Sequence, residues 1–235
     1  MPPFRGSSEL TPAGALTRQR LLDSAFALIR DLGHVPQISA VAAAAGVSRA
    51  TAYRYFPSRS TLIGAVVDSS LGRVRRFESR LDDPEARLTE LFRTTFARFK
   101  EFEPQMRAAL QLSLEHEALE KAGRLAENPY RRGYRVAILR RTLAPLTRTM
   151  EAQAVDRLCK AMSLVFGIEP YVVLKDIWGC GNAEVEQIAS WIADALLRQA
   201  RADAAAAAAA PPGPRGTAPV ASIAPVKRQA RTPGG

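Results

Sequence analysis

At 235 residues the chain is long enough for one or two domains, and its 47% hydrophobic content excludes wholesale disorder. No apolar run approaches the ~18–20 residues of a membrane-spanning helix, and the opening Met1-Pro2-Pro3-Phe4-Arg5-Gly6 has none that would act as a signal peptide. Two cysteines, Cys159 and Cys180, exclude a disulfide framework and a cysteine-rich zinc site, so a reduced, soluble, cytoplasmic protein is expected.

The formal charge of +10 is unevenly spread. Residues 1–63 hold seven basic and three acidic side chains, residues 64–201 hold 22 and 19, and residues 202–235 hold four and one. A front segment more basic per residue than the middle favours a polyanionic partner.

In chain order, residues 1–15, rich in Pro, Gly and Ser, predict a flexible arm. Leu21, Leu22, Ala25, Phe26, Leu28, Ile29 and Leu32 then mark the apolar stripe of a helix that Gly33 stops. Ile38, Val41, Ala42 and Ala45 predict a short second helix, broken at Gly46-Val47-Ser48. Ser48 is placed to cap a third short helix, Arg49 to Phe56, which Pro57 ends. Ser58 or Ser60 caps a fourth helix running through Leu62, Ile63, Val66 and Val67 towards Arg80.

Leu81-Asp82-Asp83-Pro84 predicts a turn, Leu88 to Phe102 a helix ending before Pro104, and Met106 to Leu114 a further helix up to Gly123. Tyr134, Ile138, Leu139 and Leu143 mark another helix, and Val155, Leu158, Cys159, Met162 and Phe166 one more. Residues 168–178 read as an apolar connector, and Val185 to Leu196 as the last helix. Seven alanines, Ala204 to Ala210, either extend that helix or begin a Pro/Ala/basic tail with no core-forming pattern. The chain is expected to be all-α with about nine helices.

Residues 36–59 carry the chemistry. Two short helices joined at a glycine form a helix-turn-helix, in which the alanines 42–45 permit close approach and Val47 fills the gap between the helices. Ser48 leaves the N–H groups of the next turn free to meet phosphate. Along that helix Arg49, Thr51, Tyr53, Arg54 and Tyr55 are polar, and Ala52 and Phe56 point inward. The major groove of DNA admits one such helix; a purely structural corner is the other reading.

The run Ala-Val-Ala-x-x-Ala-Gly-Val-Ser-x-x-Thr-x-Tyr-x-Tyr-Phe-Pro-x-Arg, ending at Arg59 and followed by Leu62, resembles the DNA-binding domain of TetR-family (TetR/AcrR) transcriptional regulators over roughly residues 16–67. Gly167 to Asp176 resembles, more loosely, the C-terminal domains of some members. The resemblance implies a repressor that binds a palindromic operator in double-stranded DNA as a homodimer and is released by a small-molecule effector. It implies a helix-turn-helix domain at 16–62, an effector-binding and dimerisation domain at 63–201, and a low-complexity tail at 202–235. Arg49 and Ala50 then fall where base edges are read; Thr51, Tyr53 and Tyr55 fall on phosphates, with Tyr53 sometimes reaching a base. Arg59 and either Thr17 or Arg18 fall on further phosphates, and Ser39 where some members read a base. One departure is Gln37 after Pro36, where the second helix is usually capped by Thr or Ser.

The resemblance further implies dimerisation through helices at about 151–166 and 183–200, whose stripes (Val155, Leu158, Met162; Ile188, Ile192, Leu196, with Trp191) read equally as intramolecular core. It implies an effector pocket that Phe96, Phe99, Tyr130, Tyr134, Met162, Phe166 and Trp178 would line, although an aromatic stripe at helical spacing also describes plain core. The many arginines of residues 124–148 read either as an anion-binding set or as a solvated face. An effector-independent, architectural DNA binder using the basic tail is the alternative function.

An enzyme is not expected. His116-Glu117-Ala118-Leu119-Glu120 lacks the second histidine of a helical zinc motif, and the other histidine, His34, is remote, so no metal or cofactor is expected and His116 reads as part of a solvated face. No phosphate-cradling glycine loop and no Ser/His/Asp set occurs. Cys159 reads as buried and inert, and Cys180, between two glycines, as exposed and open to redox chemistry.

Overall fold

The structure is a computed structural model that describes residues 11–209, so the arm's first ten residues and the tail from residue 210 lie outside the described residues. All described regular structure is helical: α1 (Pro12–Leu32), α2 (Ile38–Ala44), α3 (Arg49–Tyr55), α4 (Arg59–Arg75), α5 (Pro84–Lys121), α6 (Tyr134–Leu143) with a 3₁₀ turn at Ala144–Arg148, α7 (Ala152–Met162), α8 (Glu169–Asp176) and α9 (Asn182–Ala209).

α1 starts earlier than the sequence pattern predicts, because Thr11 caps it (the side chain accepts from Gly14 N–H at 3.2 Å) and Pro12 occupies its first turn. Residues 12–15 are therefore helix and not arm. Its buried face is Leu21, Leu22, Ala25 and Ile29, while Leu32 is exposed. α2 has no side-chain cap at Gln37. It ends in a Schellman closure, with the Val47 N–H on Ala42 C=O at 3.0 Å and the Gly46 N–H on Ala43 C=O at 3.1 Å. That closure puts Gly46 at φ 65°, where a side chain would be strained. Of the alanine run only Ala42 and Ala45 are buried; Ala43 and Ala44 face solvent.

α4 begins in a capping box between Ser58 and Thr61 and ends at Arg75, short of Arg80. α5 is one helix where the sequence predicts two: Pro104 does not end it, and the backbone instead bends at Phe102 (φ −120°, ψ 27°). Residues 169–176 are helix α8, not a connector, and α9 continues through the alanines to Ala209.

α2 packs on α1 and α3, α1 on α4 and α5, and α4 lies mainly along α5. α5 is the central strut, touching α1, α4, α6 and α9, while α7 and α8 pack against α9. α3 is thus tied to the body through α2, which packs on α1, and through the chain that runs on into α4. A stacked aromatic centre holds the body: Phe96 lies on Tyr171 (5.7 Å, 20°) and meets Phe99 edge-on at 6.2 Å.

Candidate nucleic-acid interface and internal cavity

α3 is held by its inward pair. Ala52 is fully buried and Phe56 is 1% exposed, four residues apart on one face. The Ser48 Oγ accepts the Thr51 N–H at 3.1 Å and lies 2.9 Å from the Thr51 hydroxyl, so both polar groups of Thr51 serve the cap. The outward face carries Ser48, Arg49, Ala50, Tyr53 and Arg54, all exposed. Tyr55 is half-buried with the Arg54 guanidinium 5.4 Å from its ring centroid.

On α1 the Thr17 hydroxyl donates to Ala13 C=O at 3.0 Å, and the Arg18 guanidinium lies 5.6 Å from the Phe56 ring, beside the start of α4. Ser39 is half-buried in the first turn of α2. Sequence reasoning missed Arg20, whose guanidinium donates to Ala45 C=O at 2.7 Å and closes the end of α2 against α1. Its signal lay only in the helical phase of α1, two residues from Arg18.

Arg59 stands apart from the other expected DNA contacts. It faces the body and holds Glu115 of α5 through Nη2 at 2.6 Å, with Nε 3.6 Å from Glu127. The Arg59 hydrogen bond keeps the Glu115 carboxyl below its ordinary value, against the upward push of burial. Next to it the Ser60 N–H donates to Glu127 and the Ser60 hydroxyl to Asn128 C=O at 2.6 Å. His116, read from sequence as solvated, is 1% exposed here, because the loop after α5 folds back over it. Its Nδ1 accepts the Tyr130 N–H at 3.1 Å.

A cavity of about 100 Å³ opens between α4, α5, α6 and the turn before α8. Of the residues expected to line a pocket, Phe99, Tyr130, Tyr134 and Phe166 do. Phe96 and Met162 do not: both are fully packed in the core, Phe96 in the aromatic stack. Trp178 lies beyond the end of α8 and is 75% exposed. Sequence reasoning missed Arg75 and Thr95, whose buried hydroxyl has no partner among the described residues, and offered Arg132 and Arg135 only within the arginines of residues 124–148.

Both thiols are buried, and burial pushes Cys159 and Cys180 above the ordinary thiol value, which corrects the exposed reading of Cys180. The α7 stripe Val155, Leu158 and Met162 is intramolecular core, because α6, α7 and α9 pack together. α9 keeps a second apolar flank: Val185, Ala189, Ala193 and Leu197 are buried, Ile188, Ile192 and Leu196 are half-buried, and Trp191 is 68% exposed. Val173, Ile177 and Trp178, on and just after the adjoining α8, are exposed as well.

The model for bacterial regulatory proteins of the tetR family matches residues 21–66, which run from the first buried leucine of α1 into α4. No curated protein matches the chain. A tetR-family transcriptional regulator from Streptomyces coelicolor shares the fold with a TM-score of 0.58 and 21% identity, over 82% of this chain and 86% of its own. A protein of Mesorhizobium loti assigned to the TetR-family transcriptional regulators does so with a TM-score of 0.51 and 18% identity, over 81% of this chain and 98% of its own. Residues 21–66 thus match the tetR-family model of bacterial regulatory proteins, and the chain shares the fold of these two proteins.

Proposed function

We propose that the protein is a cytoplasmic repressor that binds a palindromic operator as a homodimer and leaves it when a small-molecule effector fills the cavity. The observation that carries the reading is the outward face of α3. It presents two exposed guanidinium groups and an exposed phenol, and none of the residues of α2 or α3 is acidic. Arg49 is the base reader, its guanidinium suited to O6 and N7 of guanine, with Ala50 beside it. Tyr53, Tyr55, Thr51 and Arg54 meet sugar and phosphate, as do Arg18 and Thr17; Ser39 borders the groove.

A palindrome needs a second chain, because two half-sites lie one helical turn apart. The apolar arc of α9 supports it. Taken at roughly 100° per residue, Leu197 round to Trp191 spans well over the ~100° stripe that one core contact requires. The partner face is therefore α9 with the end of α8, and α7 takes no part.

Effector and operator are linked through the loop before α6. Tyr130 lines the cavity and donates its N–H to His116, while Asn128 and Glu127 hold Ser60 in the first turn of α4, directly after α3. An occupant that displaces Tyr130 moves the start of α4, and the coupling runs equally in both directions.

Mobility shifts against genomic fragments with salt varied test the proposal. One inverted repeat should bind at least ~10³-fold tighter than random duplex, with two chains per site. A monomer that binds all sequences alike, with steep salt dependence, would make the protein an architectural binder instead.

A further inference from the structure

The cavity's walls differ in chemistry from its mouth. Its depth is apolar, with Val67, Phe99, Met106 and Phe166 among its walls. Arg75, Arg132 and Arg135 also line it, and no acidic residue does among the described residues. Tyr134 is solvent-exposed and the Arg132 and Arg135 side chains remain 27% and 23% exposed, which sets the guanidinium groups towards the open side.

The local charge does not balance. One carboxylate, Glu169, takes the Arg132 Nη1 at 2.7 Å and the Arg135 Nη2 at 2.7 Å. Two guanidinium groups on one carboxylate leave one positive charge without a counter-charge. Arg135 is fixed further by donating to Ser163 C=O at 2.8 Å. Gly167 is bare where this pair presses on the backbone, since a Cβ there would overlap both the Glu169 carboxylate and the Arg135 guanidinium. Arg75 is occupied otherwise, paired with Asp68 and stacked 3.5 Å from the Tyr134 ring. In the same lining Thr95 keeps a buried hydroxyl without a partner among the described residues, which a closed apolar core rarely retains.

Size sets the second bound. At about 100 Å³ the cavity is smaller than the pockets that take drug-sized ligands, which run to roughly 300–1,000 Å³. An apolar cavity of about 150 Å³ admits benzene, so the enclosed part of a ligand here is of that size or less.

We propose that the cavity takes a small monocarboxylic acid, with an apolar body of one ring or a short branched chain inside and its carboxylate at the mouth on Arg132 and Arg135. The guanidinium fork suits a carboxylate geometrically as well as in charge. The assignment rests on the effector-cavity reading above and adds to it the class of effector.

Calorimetry and thermal melting of the full chain with sodium benzoate and sodium hexanoate, against benzamide and benzylamine, test it. The acids should bind and raise the melting temperature, benzamide should bind at least about tenfold more weakly, and benzylamine should not bind detectably. Arg132→Gln should weaken benzoate about tenfold, and Ala109→Met, which puts a side chain into the cavity, should abolish its binding. Benzamide binding as well as benzoate overturns the acid assignment while leaving a cavity-borne effector standing. Benzoate binding unchanged in both variants places the acid elsewhere and overturns it too. Failure of both acids to bind at about 10 mM likewise overturns it. The effector reading is then judged separately, by whether a small-molecule extract of the cell releases the operator.

Discussion

Along α3 the guanidinium groups of Arg49 and Arg54 meet no carboxylate among the described residues, whereas on the body Arg107 holds Asp176 at 2.7 Å and Glu103 at 2.8 Å. The pattern repeats through the body: Arg98 with Glu101, Arg131 with Glu120, Arg140 with Asp156, Arg157 with Asp203, Arg201 with Asp83 and Glu85. Such exposed pairs contribute ~0–1 kcal/mol each. Their larger consequence is to cancel charge locally, so the body offers a polyanion little field. The same residue type left unpaired on a helix of seven residues keeps its charge for a partner. Arg59 belongs by sequence to the first group and by its pairing to the second.

The sharpest way to break this comparison is to remove the platform under the unpaired set. Phe56→Ala empties a side chain 1% exposed and should cost ~3–5 kcal/mol. The loss falls on the helix-turn-helix, so a circular-dichroism melt should show an early partial transition and DNA binding should vanish. A variant that keeps wild-type DNA affinity would mean α3 is not the reading element. Next in size is Arg49→Ala, which should cost ~1–3 kcal/mol of discrimination between operator and random duplex in competition titrations. Arg107→Ala, a body arginine, should leave that ratio unchanged. Equal weakening on all DNA would move Arg49 from bases to phosphates.

What could be read in the sequence follows the range of the forces involved. The helix-turn-helix was legible because its determinants are local: Gly46 for a left-handed turn, Ser48 for a cap, Ala52 and Phe56 four residues apart. The kinked continuity of α5 was not, because Pro104 reads as a stop unless tertiary packing carries the helix past it. Nor was the cavity: Arg132 and Arg135 acquire meaning only beside Glu169, and Phe96 leaves the lining only because Tyr171 stacks on it. His116 was misplaced and the Arg59 pairing was missed for the same reason, since their partners lie 14 and 56 residues away in the chain.

Glu169 sharpens the comparison from the body side. Burial alone would push its carboxyl up, but hydrogen bonds from Arg135 and Arg132 hold it below the ordinary value. A carboxyl depressed on folding stabilises the fold above its unfolded value, and that contribution is lost as pH falls through the folded one. Glu169→Gln should therefore lose on the order of 1–2 kcal/mol at pH 7 in urea denaturation, discounting for partial exposure. The two proteins should converge as the pH drops below ~4. A constant gap down to pH 3 would show that the ion pairs contribute nothing and that packing alone distinguishes the residues.

The smallest expected effect concerns the arginine that stands between the two groups. Arg59 cannot hold a phosphate while its guanidinium is bidentate on Glu115, so DNA must compete with that carboxylate. Glu115→Gln keeps the shape and removes the charge, and Arg59 should then lean towards the duplex. Binding to a random 30-base-pair duplex, where only phosphates count, should tighten a few-fold at low salt. The slope of log affinity against log salt should steepen by about 0.9 for each further phosphate that the protein neutralises. Nonspecific duplex is the right probe because a change there owes nothing to base reading by Arg49. If affinity and slope stay fixed while the protein melts earlier, the pair is a strut between α4 and α5, and Arg59 belongs with the body arginines.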